Sequence, residues 1–463
     1  MAKDKTARDL ALDVLLRIEK TKSYANLLLS PSLAKSTLSA QDKALATELV
    51  YGTIRAMGTL DWILQECSHM PLDKLDPPVR MVLRLGAYQL LYTRIPPSAA
   101  CFESVQQAKR VSHAGSARYV NAVLRRLSRE REQIKYPDPL TDPVRYVAVK
   151  YSHPEWLVQR WLERFGLEGT MALCEANNQP PPLCLRTNTT LISSNELADY
   201  LRVQGFTPLS HHFVPEALYL QGAGAVGSLP GFKDGKFSIQ DESSMLVAHA
   251  LAPQPGERVL DVCAGPGGKT THLAELLNGC GEIWAMDIHA HKLALIKETS
   301  IRLRLTGIHI CEGDARELPP EFIGRFHRVL VDAPCSGTGV LRRRPDLRWH
   351  KTPEELNKLP KLQLQILSSA ATAVIPGGTL VYSTCSIEPE ENILVVKEFL
   401  SANPDFVLDD LRPELEEFIP EPTLKQGFVE LYPHKHKVDG FFLARLKRCE
   451  EGSNYDSTGF KKS

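Results

Sequence analysis

The chain has 463 residues, 43% of them hydrophobic, which is enough for two or three domains with cores of their own, and its formal net charge is zero. A zero balance taken alone argues against a nucleic-acid partner, because neutralising phosphates needs an excess of Lys and Arg. No apolar run is long enough to span a bilayer, MAKDKTARDL lacks the apolar core of a secretory leader, and the ten cysteines show no paired metal-ligand spacing, so we expect a cytoplasmic protein with free thiols, no membrane partner and no metal.

The zero balance conceals an asymmetry. Residues 1–140 carry 21 Lys and Arg against 14 Asp and Glu, while the remainder carries 34 against 41. A basic module is joined to an acidic one, and the basic excess suits either phosphate contacts or a solvated helix surface. From Thr6 to about Ser128, apolar residues recur at helical spacing, as in ARDLALDVLLRIEK, VRMVLRLGAYQLLY and ARYVNAVLRRLSRE, which predicts an all-helical domain over 1–140. YPDPLTDP, residues 136–143, has three prolines and reads as a linker, since each disfavours helix at the preceding residue.

Residues 141–235 mix a helical PEWLVQRWLERFG, the break NNQPPP, a strand in LCLRTN and a helix in SSNELADYLRVQG, a pattern that predicts a linker and a small α+β module. Over 236–449 the pattern changes to apolar runs ending in Gly or Asp and separated by helices: RVLDVCAG, EIWAMDI, IHICEGDA, HRVLVDAP and TLVYSTCS. Such alternation predicts a doubly wound α/β domain with parallel strands and functional groups beyond their carboxyl ends. FVELYPHKHK and GFFLARLKR read as two antiparallel strands closing the sheet edge, and the polar tail 450–463 reads as disordered.

At the first strand end, DVCAGPGGKTTHLAELL places glycines before a helix, where backbone amides can approach a ligand. The spacing matches neither GxGxxG nor the phosphate-binding GxxxxGK[ST] loop. Asp261, Asp287, Asp314 and Asp332 close successive strands. Any one of them suits a turn or cap, but together they suit a cofactor with ribose hydroxyls and a positive sulfonium, which describes S-adenosylmethionine. DAPCSGTG and STCS place Cys335 and Cys385 at the ends of the fourth and fifth strands, and the residues alone leave open which thiol attacks. RRRPDLRW, with Arg342, Arg343, Arg344, Arg348 and Trp349, could grip phosphates or stack on a displaced base.

DVCAGPGGKT, DAPCSGTG and STCSIEPEEN, in this order and preceded by FSIQDESSMLVA, resemble the RNA 5-methylcytosine methyltransferase family, and RYVNAVLRRL resembles its helical NusB-like module. The resemblance extends over most of the chain. It implies an all-α NusB-like domain, a small α+β module and a class I Rossmann-like methyltransferase domain that takes S-adenosylmethionine and small-subunit ribosomal RNA. It further implies a cofactor loop of Cys263, Ala264, Gly265, Pro266, Gly267, Gly268 and Lys269, with Asp287 on ribose, Asp314 near adenine and Asp332 between cofactor and base. Gly265 departs from the small residue such as alanine expected there. Carbon 5 of cytosine is a poor nucleophile until another nucleophile adds at carbon 6, so the reaction needs a thiolate. In the family the TC cysteine attacks and the PC cysteine assists release, which assigns attack to Cys385 and release to Cys335. A monomer is expected. The alternatives are an RNA-binding ribosome-assembly factor without catalysis, disfavoured by both cysteines and the intact loop, and a methyltransferase acting on DNA or protein.

Overall fold

The computed structural model describes residues 5–210, 213–222, 224 and 226–450. The expected tail lies almost wholly outside the described residues. The chain forms two compact units, one of residues 1–180 with 341–351 and the other of 181–340 with 352–463. Among the described residues, no helix is long and apolar enough to cross a membrane.

The first unit is helical. Thr6 starts its first helix, Ala7–Thr21, with a capping box in which its side chain accepts from the Asp9 amide while Asp9 accepts from the Thr6 amide. Helix Ala114–Glu130 buries Val120, Val123, Leu124 and Leu127 and leaves Arg118, Arg125, Arg126 and Arg129 exposed, as its 3.6-residue period dictates. The unit runs past the expected boundary near 140, because the next helices pack onto it. The Thr59 hydroxyl donates to Val149 O at 2.6 Å, and the Gly58 amide to Ser152 Oγ at 2.9 Å.

Residues 341–351 belong to this unit too, which overturns the expectation that Arg348 and Trp349 face a nucleic acid. Arg348 is 1% exposed and donates to Ser152 O at 2.9 Å and Asn178 Oδ1 at 2.8 Å, and Trp349 Nε1 donates to Ile54 O at 2.9 Å. The Arg348 Nη1 and Trp349 Nε1 donors are thus used inside the unit. Of the remaining arginines, Arg342 is buried, Arg343 is half-buried and Arg344 is exposed.

The second unit holds two sheets. Strands β1 (Leu183–Thr187), β2 (Pro208–Ser210), β3 (Ala217–Leu220) and β4 (Phe237–Ile239) form a small antiparallel sheet in the order β2-β3-β1-β4. Leu185, Leu218, Leu220 and Phe237 pack there with Leu197 and Leu201 of helix Ser194–Val203.

The larger sheet contains β5 (Arg258–Asp261), β6 (Glu282–Asp287), β7 (Ile308–Glu312), β8 (Phe326–Asp332), β9 (Val374–Thr384), β10 (Phe406–Leu408), β11 (Phe428–Leu431) and β12 (Phe441–Arg448). Its order is β10-β12-β9-β8-β5-β6-β7, with β11 also paired to β12. Neighbours from β9 to β7 run parallel. The last two strands pair antiparallel, as the sequence suggests, but the last one is not the outermost. β12 lies antiparallel against β9, and β10 and β11 flank its other side. Alternate side chains feed opposite faces: Leu330 and Val381 pack with Met245 and Leu273, and Val329, Leu380 and Tyr382 pack with Leu367 and Phe399.

A buried ion pair joins the small sheet to the helix that follows β5. Arg186 of β1 donates to both carboxylate oxygens of Glu275 at 2.9 and 2.7 Å, to Thr271 Oγ1 at 3.0 Å, to Gly268 O at 2.6 Å and to Gln240 Oε1. Glu275, Thr271 and Gly268 belong to helix Gly268–Leu277, so the small sheet anchors the helix that follows the glycine loop. Arg186→Met leaves a buried carboxylate without its cation and is expected to cost about 3 to 5 kcal/mol in urea unfolding. A loss below about 1 kcal/mol would show that the pair contributes little.

Candidate active site

The glycine loop links β5 to helix Gly268–Leu277. Gly267 has φ of +106°, which favours glycine, and lets the chain turn into the helix. At Gly265 the constraint is close approach: a Cβ there would lie 2.6 Å from Asp287 Oδ2, to which the Gly265 amide donates at 3.0 Å. The departure from alanine is therefore not neutral here, since alanine would push against Asp287. Asp287, 5% exposed at the end of β6, also accepts from the His289 amide at 2.9 Å.

The expected rim of four aspartates separates into different environments. Asp261 is 1% exposed beneath the loop, where Thr270 Oγ1 donates to it at 2.7 Å. Burial dominates and pushes its carboxyl up to about 7, with the nearby Asp332 adding to the rise. Asp314 lies two residues beyond β7 and is held by Arg316, whose Nε approaches both carboxylate oxygens at 3.0 and 2.9 Å. Asp332 ends β8, accepting from Lys269 Nζ at 2.7 Å and Ser383 Oγ at 2.9 Å. Lys269 also lies 5.1 Å over the Phe441 ring. It is the cation that neutralises Asp332.

Both candidate thiols sit beyond paired strand ends. Asp332 of β8 is opposite Ser383 of β9, so the loops leaving these strands run side by side. They bring Cys335 Sγ to 3.3 Å from Cys385 Sγ, and both residues are half-buried. The loops are tied together, with the Gly339 amide donating to Cys385 O at 3.0 Å and the Ile387 amide to Thr338 Oγ1 at 3.1 Å. The hydrogen bond to Cys385, then burial, hold the Cys335 thiol well above its ordinary range, so it stays protonated. Cys174 and Cys184 are buried core residues, and Cys449 is half-buried.

Against this geometry, the comparisons with known proteins are consistent along the chain. Residues 248–447 match the family model described as 16S rRNA methyltransferase RsmB/F, residues 5–129 match the NusB family, and residues 153–227 match the ferredoxin-like domain of RsmF/B-like methyltransferases. A probable ribosomal RNA small subunit methyltransferase B of Bacillus subtilis is 41% identical, over 96% of this chain and 99% of that one. The chain belongs to the 16S rRNA methyltransferase RsmB/F family. An Escherichia coli ribosomal RNA small subunit methyltransferase B is 36% identical over 96% of this chain and 99% of that one. Among solved structures, PH0851 superposes with a TM-score of 0.81 at 27% identity, covering 96% of this chain and all of that one. NSun6 from Pyrococcus horikoshii with SFG gives 0.58 at 26% identity, covering 64% of this chain and 99% of that one.

The structure also assembles groups that the sequence did not single out. Glu216 precedes β3, and its Oε1 faces His249 Nε2 at 2.6 Å and His272 Nε2 at 3.0 Å. If each ring donates from Nε2, each Nδ1 is left as an acceptor, and His272 Nδ1 is indeed buried without a partner. Burial pushes the Glu216 carboxyl up, but the hydrogen bonds from His249 and His272 outweigh it and leave it below the usual range. Burial dominates at His272 and lowers its pKa from 6.5 to about 4. An unfolded chain takes up this proton as pH falls through 6.5, and the folded one does so only near 4, so acid erodes stability in that window. The loss at His272 is about 3 kcal/mol by pH 4. In urea unfolding at pH 7 and pH 4, His272→Gln, which keeps a donor and does not titrate, is expected to lose less stability than the wild type by about that amount. Equal losses in the two proteins would show that His272 titrates normally.

Proposed function

We propose that this enzyme transfers a methyl group to carbon 5 of a cytosine in small-subunit ribosomal RNA, with Cys385 attacking carbon 6 and Cys335 assisting release. The 3.3 Å approach of the two sulfurs carries this reading. A nucleophile and a proton-holding partner within hydrogen-bond reach are what a covalent addition followed by elimination requires. Family membership supports an RNA methyltransferase acting in the cytoplasm, where ribosomes are built, and a single chain holds every group in the scheme.

The cofactor is S-adenosylmethionine, which supplies an electrophilic methyl carbon. The residues present suit it. Cys263, Ala264, Gly265, Pro266, Gly267, Gly268 and Lys269 provide a backbone cradle that a Cβ at 265 would obstruct, and Asp287 offers a buried acceptor suited to ribose hydroxyls. Asp314 would face the adenine end and Asp332 the reacting end, its carboxylate fixed by Lys269 and Ser383. Cys385, as thiolate, forms the bond to carbon 6 and places electron density on carbon 5. After methyl transfer, the carbon 5 proton passes to a water molecule acting as base, its C–H electron pair restores the ring double bond, and the bond from sulfur to carbon 6 breaks with its electron pair returning to Cys385 as thiolate. A protonated Cys335 is poised to donate its hydrogen bond to the departing Cys385 sulfur.

The two thiols should therefore fail differently. Cys385→Ala is expected to abolish methylation and form no covalent complex. Cys335→Ala leaves attack possible and slows release, so a denaturant-resistant enzyme–RNA band that requires S-adenosylmethionine should accumulate and vanish in the double variant. Trapping by Cys385→Ala with none by Cys335→Ala would reverse the assignment.

The helical unit would supply RNA affinity. Between helices Pro97–Val111 and Ala114–Glu130 lies a groove lined by Lys109, Arg118, Arg125 and Arg129, with no carboxylate among the described lining residues and with Phe102 60% exposed. Cations beside an exposed ring suit phosphates and a stacked base. Because the compact unit continues to residue 180, charge reversal tests this better than truncation at 140. Arg118→Glu, Arg125→Glu and Arg129→Glu together should weaken RNA binding and flatten the slope of log K against log salt by about 2. An unchanged slope would mark the basic excess as a solvated surface only.

A further inference from the structure

We infer that Glu391 is a positioning residue that holds the two thiols at their working separation by clamping the residue that follows each of them. This rests on the two-cysteine reading above and adds a residue to it. Glu391 is fully buried, at the end of the turn Pro389–Glu391 that follows the Cys385 loop. Its Oε1 accepts from the Ser336 amide at 2.7 Å and from Gln363 Nε2 at 3.1 Å. Its Oε2 accepts from the Ser386 hydroxyl at 2.5 Å and from the Ser336 hydroxyl. Ser336 follows Cys335 and Ser386 follows Cys385, so one carboxylate grips both catalytic loops. Gln363 extends the clamp, donating also to Pro334 O at 3.0 Å, on the other side of Cys335.

The chemistry of these donors explains why an acid stands here. Four donors converge on two oxygens, and a carboxylate offers acceptors alone, whereas an amide would turn an N–H₂ toward some of them. Among the described residues, Glu391 forms no ion pair, so these hydrogen bonds alone offset the cost of burying its charge. Burial pushes its carboxyl up, and the bonds from Ser336 and Ser386 work against that rise. A buried carboxylate without a cation is an expensive tether for two loops. The same charge lies close enough to Cys335 to favour its protonated form, after the larger effects of Cys385 and burial.

The experiment uses the full chain, S-adenosylmethionine and a transcript of small-subunit ribosomal RNA, and follows cofactor affinity, covalent complex formation and complex release separately. Glu391→Gln should lower turnover about 100-fold while cofactor affinity stays within about twofold, because misplaced thiols lose reaction geometry without disturbing the glycine loop. Ser386→Ala, which frees the loop of the attacking thiol, should slow complex formation. Ser336→Ala, which frees the other loop, should slow release, so that the covalent band grows. These two variants carry the test if Glu391→Gln does not fold. Unchanged turnover in Glu391→Gln, or serine variants that slow formation and release equally together with weaker cofactor binding, would overturn the inference. Its failure is separate from failure of the two-cysteine reading, which is decided by whether Cys335→Ala traps RNA in an otherwise unaltered protein.

Discussion

The parallel pairing of β8 with β9 sets the distance between the two thiols. Adjacent strands lie under 5 Å apart, and Asp332 stands opposite Ser383, so loops leaving the two ends start side by side. Cys335 and Cys385 are fifty residues apart in sequence, and their sulfurs come within 3.3 Å. A register slip of one residue would turn a strand's side chains to the opposite face. The interleaved cores on both faces of the sheet oppose such a slip, since Leu330 and Val381 fill one and Val329 and Leu380 the other. Core packing far from the chemistry thus enforces sulfur-to-sulfur geometry.

Around this sheet end, several carboxylates are kept in place by different means. Glu275 has a guanidinium from Arg186, Asp332 has the Lys269 ammonium, and Glu391 has only hydrogen-bond donors. Asp261, with one hydroxyl donor from Thr270 and deep burial, is pushed up to about 7. These solutions differ in what they allow. A lysine on a flexible stem can adjust beside a ligand, while a guanidinium fixed by several acceptors holds its helix rigidly. The adjustable partner stands at the end of β8, and the rigid one stands behind the glycine loop.

Much of this was legible because parallel strands advertise themselves as apolar runs ending in Gly or Asp. The runs ending at Asp261, Asp287 and Asp332, and the thiols just past the fourth and fifth, could be placed on one side of a sheet by topology alone. What escaped the sequence depended on contacts between distant segments. Nothing local about Arg186 tells that it reaches Glu275, and Glu391 reads as one acid in an acidic EPEEN stretch. Arg348 and Trp349 misled for the opposite reason: a run of arginines beside a tryptophan looks like a phosphate grip, yet carbonyl groups within the helical unit bind Arg348 Nη1 and Trp349 Nε1. The last two strands read as an antiparallel pair closing the sheet edge, and they do pair, but nothing local shows that the last one would have neighbours on both sides. Here it entered between β9 and β10.

Residues 341–351 give the chain an order of assembly as well as a shape. The helical unit contains most of its residues by position 180, yet Ser152 O and Asn178 Oδ1 receive the Arg348 guanidinium, and the Ala25 amide donates to Asp346 at 2.8 Å. On a translating ribosome, the helices can collapse early, but these polar groups wait until residue 351 of 463 has emerged. The segment that completes the first-made unit is encoded immediately after the Cys335 loop. The polypeptide crosses between its two units three times, after residues 180, 340 and 351, so each unit is built from two separate stretches of sequence. Synthesis of the catalytic unit and completion of the helical one are thereby interlocked along a single strand of sequence.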